Sequence, residues 1–213
     1  MILSLLSQKG GVGKSALARL IAVEFAKAGW RVKIADLDTA QGTATKWKGR
    51  RDRLGVEPDI PVEKFRTVER ALQEAPRFDL LVLDGPAHAE KGGLTMARAS
   101  DLVLMPTSFS LDDMEAQVEA AYELEAAGTP TERLCFVFCR AQGSSSEEQA
   151  ARQYLEKARV SALPAIFPEL PCIRQAHAEG RAASEVPFRS VQEKVGALVQ
   201  AISDRLTAKQ EAA

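Results

Sequence analysis

A chain of 213 residues with a formal net charge of −1 can bury a sizeable core and is no polycation, so contact with nucleic acid would need a local basic patch. Hydrophobic residues at 46% and charged residues at 27% match a soluble globular protein, and no apolar run approaches the roughly 20 residues of a membrane span. Three cysteines, Cys135, Cys139 and Cys172, are too few and odd in number for a disulfide framework, and a cytoplasmic location is expected.

The opening run ILSLLS (2–7) lacks a basic leader and a cleavage site, so it reads as a strand rather than a signal peptide. A glycine loop follows, then Leu17, Leu20, Ile21 and Phe25 at helical spacing, with Gly29 closing the helix. RVKIAD (31–36) is the next strand, and residues 56–65, with Pro58 and Pro61, read as irregular. LLVLD (80–84) and LVLMP (102–106) are continuous apolar runs, the mark of strands buried on both faces. A helix is expected over about 111–127, stopping near Gly128 and Pro130. LCFVFC (134–139) is a further buried strand. At ~3.3 Å per residue its two cysteines lie roughly 13 Å apart, too far to share an ion or a bridge, and they read as core. GSSSEEQ (143–149) resembles a capping box, PAIFP (164–168) reads as a short strand, and Val191, Val195, Leu198, Val199, Ile202 and Leu206 mark the last helix. These elements predict an α/β fold, a mainly parallel β-sheet covered by helices on both faces, in a single domain over 1–207 with a polar tail at 208–213. With the glycine loop starting at residue 8, no helix-turn-helix domain is expected ahead of it.

The strongest chemical signal is Gln8-Lys9-Gly10-Gly11-Val12-Gly13-Lys14-Ser15, set between strand and helix as a phosphate-binding loop requires. Its glycines let backbone N–H groups turn inward around phosphate oxygens, and the helix N-terminus adds positive potential. Gly10, Gly11, Val12, Gly13, Lys14, Ser15 and Ala16 are therefore candidate nucleotide-binding residues. Lys14 supplies a point charge for the β- and γ-phosphates of ATP, and the Ser15 hydroxyl is placed for Mg²⁺. Asp36-Leu37-Asp38 ends the second strand. Alternation puts both carboxylates on one side, at the sheet edge where open α/β proteins do their chemistry. Either one holds a Mg²⁺-bound water while the other orients the attacking water, or both cap the helix that follows.

Gln8 replaces the first glycine of GxxxxGK[ST], and Lys9 comes next. The form KGGVGKS resembles the deviant Walker A loop of the ParA/MinD family of P-loop ATPases. The resemblance implies that Lys9 reaches the phosphates of a partner subunit's nucleotide in a face-to-face, ATP-dependent homodimer. Asp36 to Thr43, with Trp47 beyond, resembles the family's second aspartate motif, although Thr39-Ala40 stands where the family has one proline. On that likeness Asp38 orients water, and Lys9, Lys14 and Asp38 are the candidate catalytic residues. FDLLVLDGP (78–86) resembles the Walker B strand, so Asp84 joins Ser15 and Asp36 as a candidate for Mg²⁺. Gly85-Pro86 would then open a switch-like loop that also carries His88. ASDLVLMP (99–106) resembles the strand after the switch, and Phe167-Pro168-Glu169-Leu170 resembles the loop around the adenine ring. Pro168, Glu169, Leu170 and Arg140 are thus candidate nucleotide contacts, with Cys139 where the family has a polar residue.

The same likeness implies a slow ATPase stimulated by a ParB-like or other cargo adaptor, binding DNA without sequence preference and associated with the nucleoid. Lys46-Trp47-Lys48-Gly49-Arg50-Arg51-Asp52-Arg53 is either a phosphate-contacting patch or a helix face with Trp47 anchored in the core. Arg174, Arg181, Arg189, Lys194 and Arg205 are the alternative basic candidates nearer the C-terminus. His88 and His177 lack metal spacing, and His88 reads as plain and exposed. Residues 207–213 contain no large apolar side chain, so a MinD-like membrane cycle is not expected. No second-substrate motif marks a metabolic ligase on this scaffold.

Overall fold

The computed structural model describes residues 1–87, 90–140 and 144–208. Six strands, β1 (Ile2–Ser7), β2 (Val32–Asp36), β3 (Val62–Lys64), β4 (Leu80–Ala87), β5 (Leu102–Thr107) and β6 (Leu134–Phe138), form one sheet in the order β3-β2-β4-β1-β5-β6. Every neighbouring pair is parallel. Parallel neighbours require crossovers, which are supplied by α1 (Lys14–Lys27), α2 (Thr43–Arg53), α3 (Val68–Leu72), α4 (Glu90–Ala99) and α5 (Leu111–Ala126). After β6 come α6 (Ser145–Lys157), α7 (Pro171–Ala178) and α8 (Arg189–Thr207).

Alternation along the strands builds two cores. Leu3, Leu5, Ile34, Val82, Leu104 and Val137 face α1, α2, α7 and α8. Ala35, Leu81, Leu83, Val103, Met105 and Phe136 face α3 to α6. The chain leaves β1 for β2 on one side, and later leaves β4 for β5 on the other. The carboxyl ends of β1, β2 and β4 therefore lie side by side at a crevice, where loops with functional groups collect.

The structure departs from the sequence expectations in several places. The irregular stretch 56–65 contains the edge strand β3, three residues long and paired with β2, too short and too charged at Glu63 and Lys64 to show a pattern. The stretch 164–168 is no strand: only the isolated bridges Phe136 to Ala162 and Cys139 to Phe167 form there, and Pro164 lacks the N–H to continue a ladder. The run 80–84 continues to Ala87, so Gly85 and Pro86 extend β4 instead of opening a loop; a register shift between Leu5 and Ser7 brings Ser7 opposite Ala87. Helix α4 had no sequence expectation, because Gly92 and Gly93 dilute its helical signal.

The capping box is present: Glu147 N–H donates to Ser144 Oγ at 3.3 Å, and Ser144 N–H donates to Glu147 Oε2 at 2.7 Å. Cys135 and Cys139 are buried in the core as expected, and Cys172 is half-buried on α7. Burial pushes the Cys135 thiol up to about 11 and the Cys139 thiol further still. His88 and tail residues 209–213 lie outside the described residues.

Candidate functional site

The glycine loop bridges β1 and α1 with backbone angles that side chains disfavour: φ is 76° at Gly11 and 109° at Gly13. A Cβ on Gly13 would stand 3.3 Å from the Cys139 Cβ. A small apolar thiol at the end of β6 is thus the floor on which the loop rests. Lys14, only 8% exposed, bends back over the loop, where Nζ donates to Ser7 Oγ at 2.7 Å and approaches the Lys9 carbonyl at 3.4 Å. Burial lowers its pKa, against the pull of Asp84 and Asp38. Lys9 behaves differently: its exposed side chain pairs with Asp113 in the first turn of α5, which raises the pKa of the amine. Asp113 also accepts from Ser108 Oγ at 2.6 Å.

Asp36 and Asp84 are register partners on adjacent strands, both on the face covered by α1 and α2. Asp36 is fully buried and caps α2 from the neighbouring strand: Oδ2 accepts from Thr45 N at 2.9 Å and Thr45 Oγ1 at 2.8 Å. That helix has Gly42 at its N-cap and no side-chain cap of its own, and one oxygen of Asp36 supplies the missing acceptor. Its Oδ1 has no hydrogen-bonding partner among the described residues, and neither oxygen of Asp84, which is 1% exposed, makes a hydrogen bond of good geometry, although the Ser15 hydroxyl lies close enough to favour its charged form. Burial pushes Asp84 up to about 6; the Ser15 hydroxyl opposes that rise, Asp36 adds to it, and Arg19 and Lys14 oppose it. Asp38 occupies a turn rather than a helix cap: Oδ1 accepts from Gln41 N at 3.0 Å and its carbonyl from Gly42 N at 2.7 Å. The extra Thr39-Ala40 residue is absorbed there, with Gly42 at φ 56°.

A cavity of about 230 Å³ opens over the loop. Gly10, Gly11, Gly13, Lys14, Ser15 and Ala16 line it, with Asp38, Gln41 and Thr43 from the β2–α2 connection, Gly85 and Ala87 from β4, and Arg140 beyond β6. Arg19 and His177 also line it, and sequence reasoning missed both. Arg19 is 4% exposed, and burial lowers its pKa to about 10. Its only sequence signal is a cation inside the apolar helical run ALARLIAVEF (16–25). His177 arrives from α7 with no such signal; burial, Arg19 and Arg50 push its pKa down to about 3, so the ring is neutral, and Nε2 has no described partner.

Lys9, Val12, Pro168, Glu169 and Leu170 do not line this cavity, and Asp36 and Asp84 lie buried behind its wall rather than on it. Glu169 instead joins its loop to Arg140 at 3.4 Å and to Arg174 at 3.2 Å. Among the described residues no group of three or more His, Cys, Asp and Glu side chains forms a metal cage. The three orphan carboxylate oxygens beside Ser15 fit a hard divalent ion that keeps its waters and takes further ligands from phosphate.

The basic stretch 46–53 is divided between core and surface: Trp47 and Arg51 are buried, and Lys46 and Arg53 are exposed. Trp47 is fully buried and donates Nε1–H to the Arg181 carbonyl at 3.0 Å. Arg51 is fully buried against Glu185, and Lys48 pairs with Asp52 and Asp59. Of the C-terminal candidates, Arg174 and Arg189 are paired with Glu169 and Glu193, and Arg205 turns inward to Ser161 Oγ at 2.7 Å. Arg181 and Lys194 remain on the surface.

The profile of the CobQ/CobB/MinD/ParA nucleotide binding domain matches residues 3–183. The chain is similar to the chromosome-partitioning ATPase Soj of Thermus thermophilus, 32% identical over 164 residues. That match spans 62% of this chain and 66% of the relative, just under two thirds of its length. Among solved structures, the cell division ATPase MinD of Pyrococcus furiosus aligns over 95% of this chain and 98% of that one, with a TM-score of 0.76 and 20% identity. The septum site-determining protein MinD of Pyrococcus horikoshii, complexed with Mg-ADP, aligns over 94% and 95% with a TM-score of 0.73 and 17% identity. At these identities the two structures share the fold with this chain.

Proposed function

This chain belongs to the CobQ/CobB/MinD/ParA nucleotide-binding family, and from that premise we propose that it is a ParA-like ATPase that positions DNA or another cargo. The observation that carries the reading is the set of orphan oxygens on Asp36 and Asp84, buried beside Ser15 and below a loop whose lysine is folded inward. Burying bare carboxylate oxygens is costly and is sustained where a cation is the intended partner.

In this reading the loop N–H groups from Gly10 to Ala16 surround the phosphates of ATP. Lys14 exchanges its Ser7 contact for the β- and γ-phosphate oxygens. Ser15, Asp36 and Asp84 would hold Mg²⁺, and the ion would supply charge neutralisation at the phosphate oxygens. Asp38 orients the attacking water. Arg140, with the loop Pro168-Glu169-Leu170 tied to it, bounds the base. Lys9 leaves Asp113 to serve the partner subunit of an ATP-dependent homodimer. The likeness to a chromosome-partitioning ATPase supports nonspecific DNA as the partner of that dimer and a ParB-like adaptor as its activator, with action in the cytoplasm at the nucleoid.

One observation favours a second reading, a nucleotide switch that acts on a protein partner: of the cations of 46–53, Arg51 is buried against Glu185 and Lys48 is paired with Asp52 and Asp59, which leaves Lys46 and Arg53 exposed to solvent. DNA binding of Asp38→Ala separates the two. This variant is expected to bind ATP, dimerise and remain on DNA after wild type has hydrolysed and released, with affinity falling steeply as salt rises. A dimer that forms with ATP but has no DNA affinity even at low salt would leave the protein-partner switch in its place.

A further inference from the structure

We propose that Arg19 is a positioning residue that serves as the built-in counter-charge of the Asp36–Asp84 pair and clamps the head of α2, and with it the Asp38 turn, onto the phosphate-loop helix. The inference rests on the reading of Asp36 and Asp84 as the metal-holding carboxylates.

Arg19 follows Ser15 by four residues, one helical turn along α1, and so lies on the same face. Its neighbours Ala18, Leu20, Ile21 and Ala22 are all fully buried. A guanidinium placed among them loses its hydration, which an uncharged side chain would not. One set of contacts and one longer-range attraction offset that loss. One is with α2: Nη2 donates to the carbonyl of Thr43, the first residue of the helix, at 2.9 Å, and the guanidinium lies 5.8 Å from the centre of the Trp47 ring, one turn further on. The other is electrostatic, with Asp84 and Asp36, and Nε remains without a described partner beside the cavity.

The two attachments have different consequences. Thr43 immediately follows the turn that carries Asp38, and Asp36 holds Thr45 from the sheet side. The head of α2 is thus pinned between β2 and α1, and Arg19 is the α1 pin. Loss of that pin loosens Asp38, and loosened positioning lowers turnover. The charge acts in the opposite sense on the metal. The two carboxylates with Arg19 and Lys14 present a net charge near zero to an arriving divalent cation; without Arg19 the site presents about −1 and attracts it more strongly. A merely structural arginine, once removed, would weaken metal binding and turnover together.

The test titrates Mg²⁺ against binding of a fluorescent ATP analogue, and measures phosphate release at saturating Mg²⁺, for wild type, Arg19→Met and Arg19→Lys. Arg19→Met is expected to lower the half-saturating Mg²⁺ on the order of tenfold while turnover falls on the order of tenfold. Arg19→Lys keeps the charge but not the planar fork, so it should hold wild-type Mg²⁺ dependence and still lose turnover. An unchanged or raised half-saturating Mg²⁺ in Arg19→Met overturns the counter-charge role. If that variant does not fold, Arg19→Lys decides, and wild-type turnover in it overturns the clamp. Should wild type itself bind the analogue with no Mg²⁺ dependence, the metal reading fails and the inference goes with it.

Discussion

Replacing Arg51 by alanine should unfold the protein at markedly lower temperature, although by sequence Arg51 sits in the most cationic and outwardly most water-seeking stretch of the chain. The side chain is 0% exposed. Its Nε donates to the Pro58 carbonyl at 3.0 Å, and Nη1 to the Gly180 carbonyl at 3.0 Å. The two terminal nitrogens form a fork on Glu185, at 2.8 Å and 3.0 Å. The guanidinium also stands 5.2 Å from the Trp47 ring centre. Truncation leaves the Glu185 carboxylate buried with only the Ala182 N–H at 2.6 Å, leaves two carbonyls short of a donor, and opens space beside Trp47. Breaking one side of a buried pair costs about 3–5 kcal/mol. For a chain of this size each kcal/mol moves Tm by about 2–4 °C, so the drop should be roughly 6–20 °C. Circular dichroism melts of wild type, Arg51→Ala and Arg51→Met/Glu185→Leu measure it, and the double variant should recover much of the loss because no charge is stranded. A drop of less than about 3 °C for Arg51→Ala would refute the buried-pair reasoning.

Lys14→Ala should abolish ATP binding by calorimetry, since the loop loses the buried cation folded over it. Lys9→Ala should bind ATP with near wild-type affinity yet fail to dimerise with it in sedimentation, because Lys9 contacts α5 of its own chain and not the cavity. Asp84→Asn should flatten the pH dependence of stability in metal-free protein. The folded pKa of Asp84 lies near 6, above the ordinary 3.8, so the folded state holds the proton more tightly than the unfolded chain. Its ionisation therefore removes stability as pH rises from about 4 to about 6, on the order of 3 kcal/mol. Urea unfolding with chelator at pH 4.5 and 7.5 should show that loss in wild type and a smaller one in Asp84→Asn.

The parts of this molecule legible in the sequence are those where local pattern and chemistry coincide. The glycine loop, Lys14 and Ser15 are contiguous, and Asp36, Asp38 and Asp84 each end an apolar run, so each could be placed without knowing the fold. The stretch 164–168 was misread because its apolar composition outweighed Pro164, whose missing N–H leaves only isolated bridges there. Helix α4 escaped notice behind Gly92 and Gly93. Arg19 and His177 are a different case: they come from helices 158 positions apart in numbering, and only the packing of α1 and α7 around α2 brings them to one cavity wall. Nor does a run of cations state its direction. Trp47 and Arg51 point to the core and Lys46 and Arg53 to water, a division set by the helical turn and by the Glu185 segment that receives Arg51.

The three sulfur atoms differ in a way that has a practical consequence. Cys135 and Cys139 sit in the core with thiols that stay protonated at neutral pH, and Cys139 is covered by the glycine loop itself. Cys172 alone among the three is partly open to solvent, on the helix that carries His177 to the cavity wall. A maleimide dye added to the native, unengineered protein thus meets one ready attachment point, five residues along the chain from that wall. Fluorescence from this position gives a spectroscopic report on α7, with the loop's own thiol shielded from the reagent.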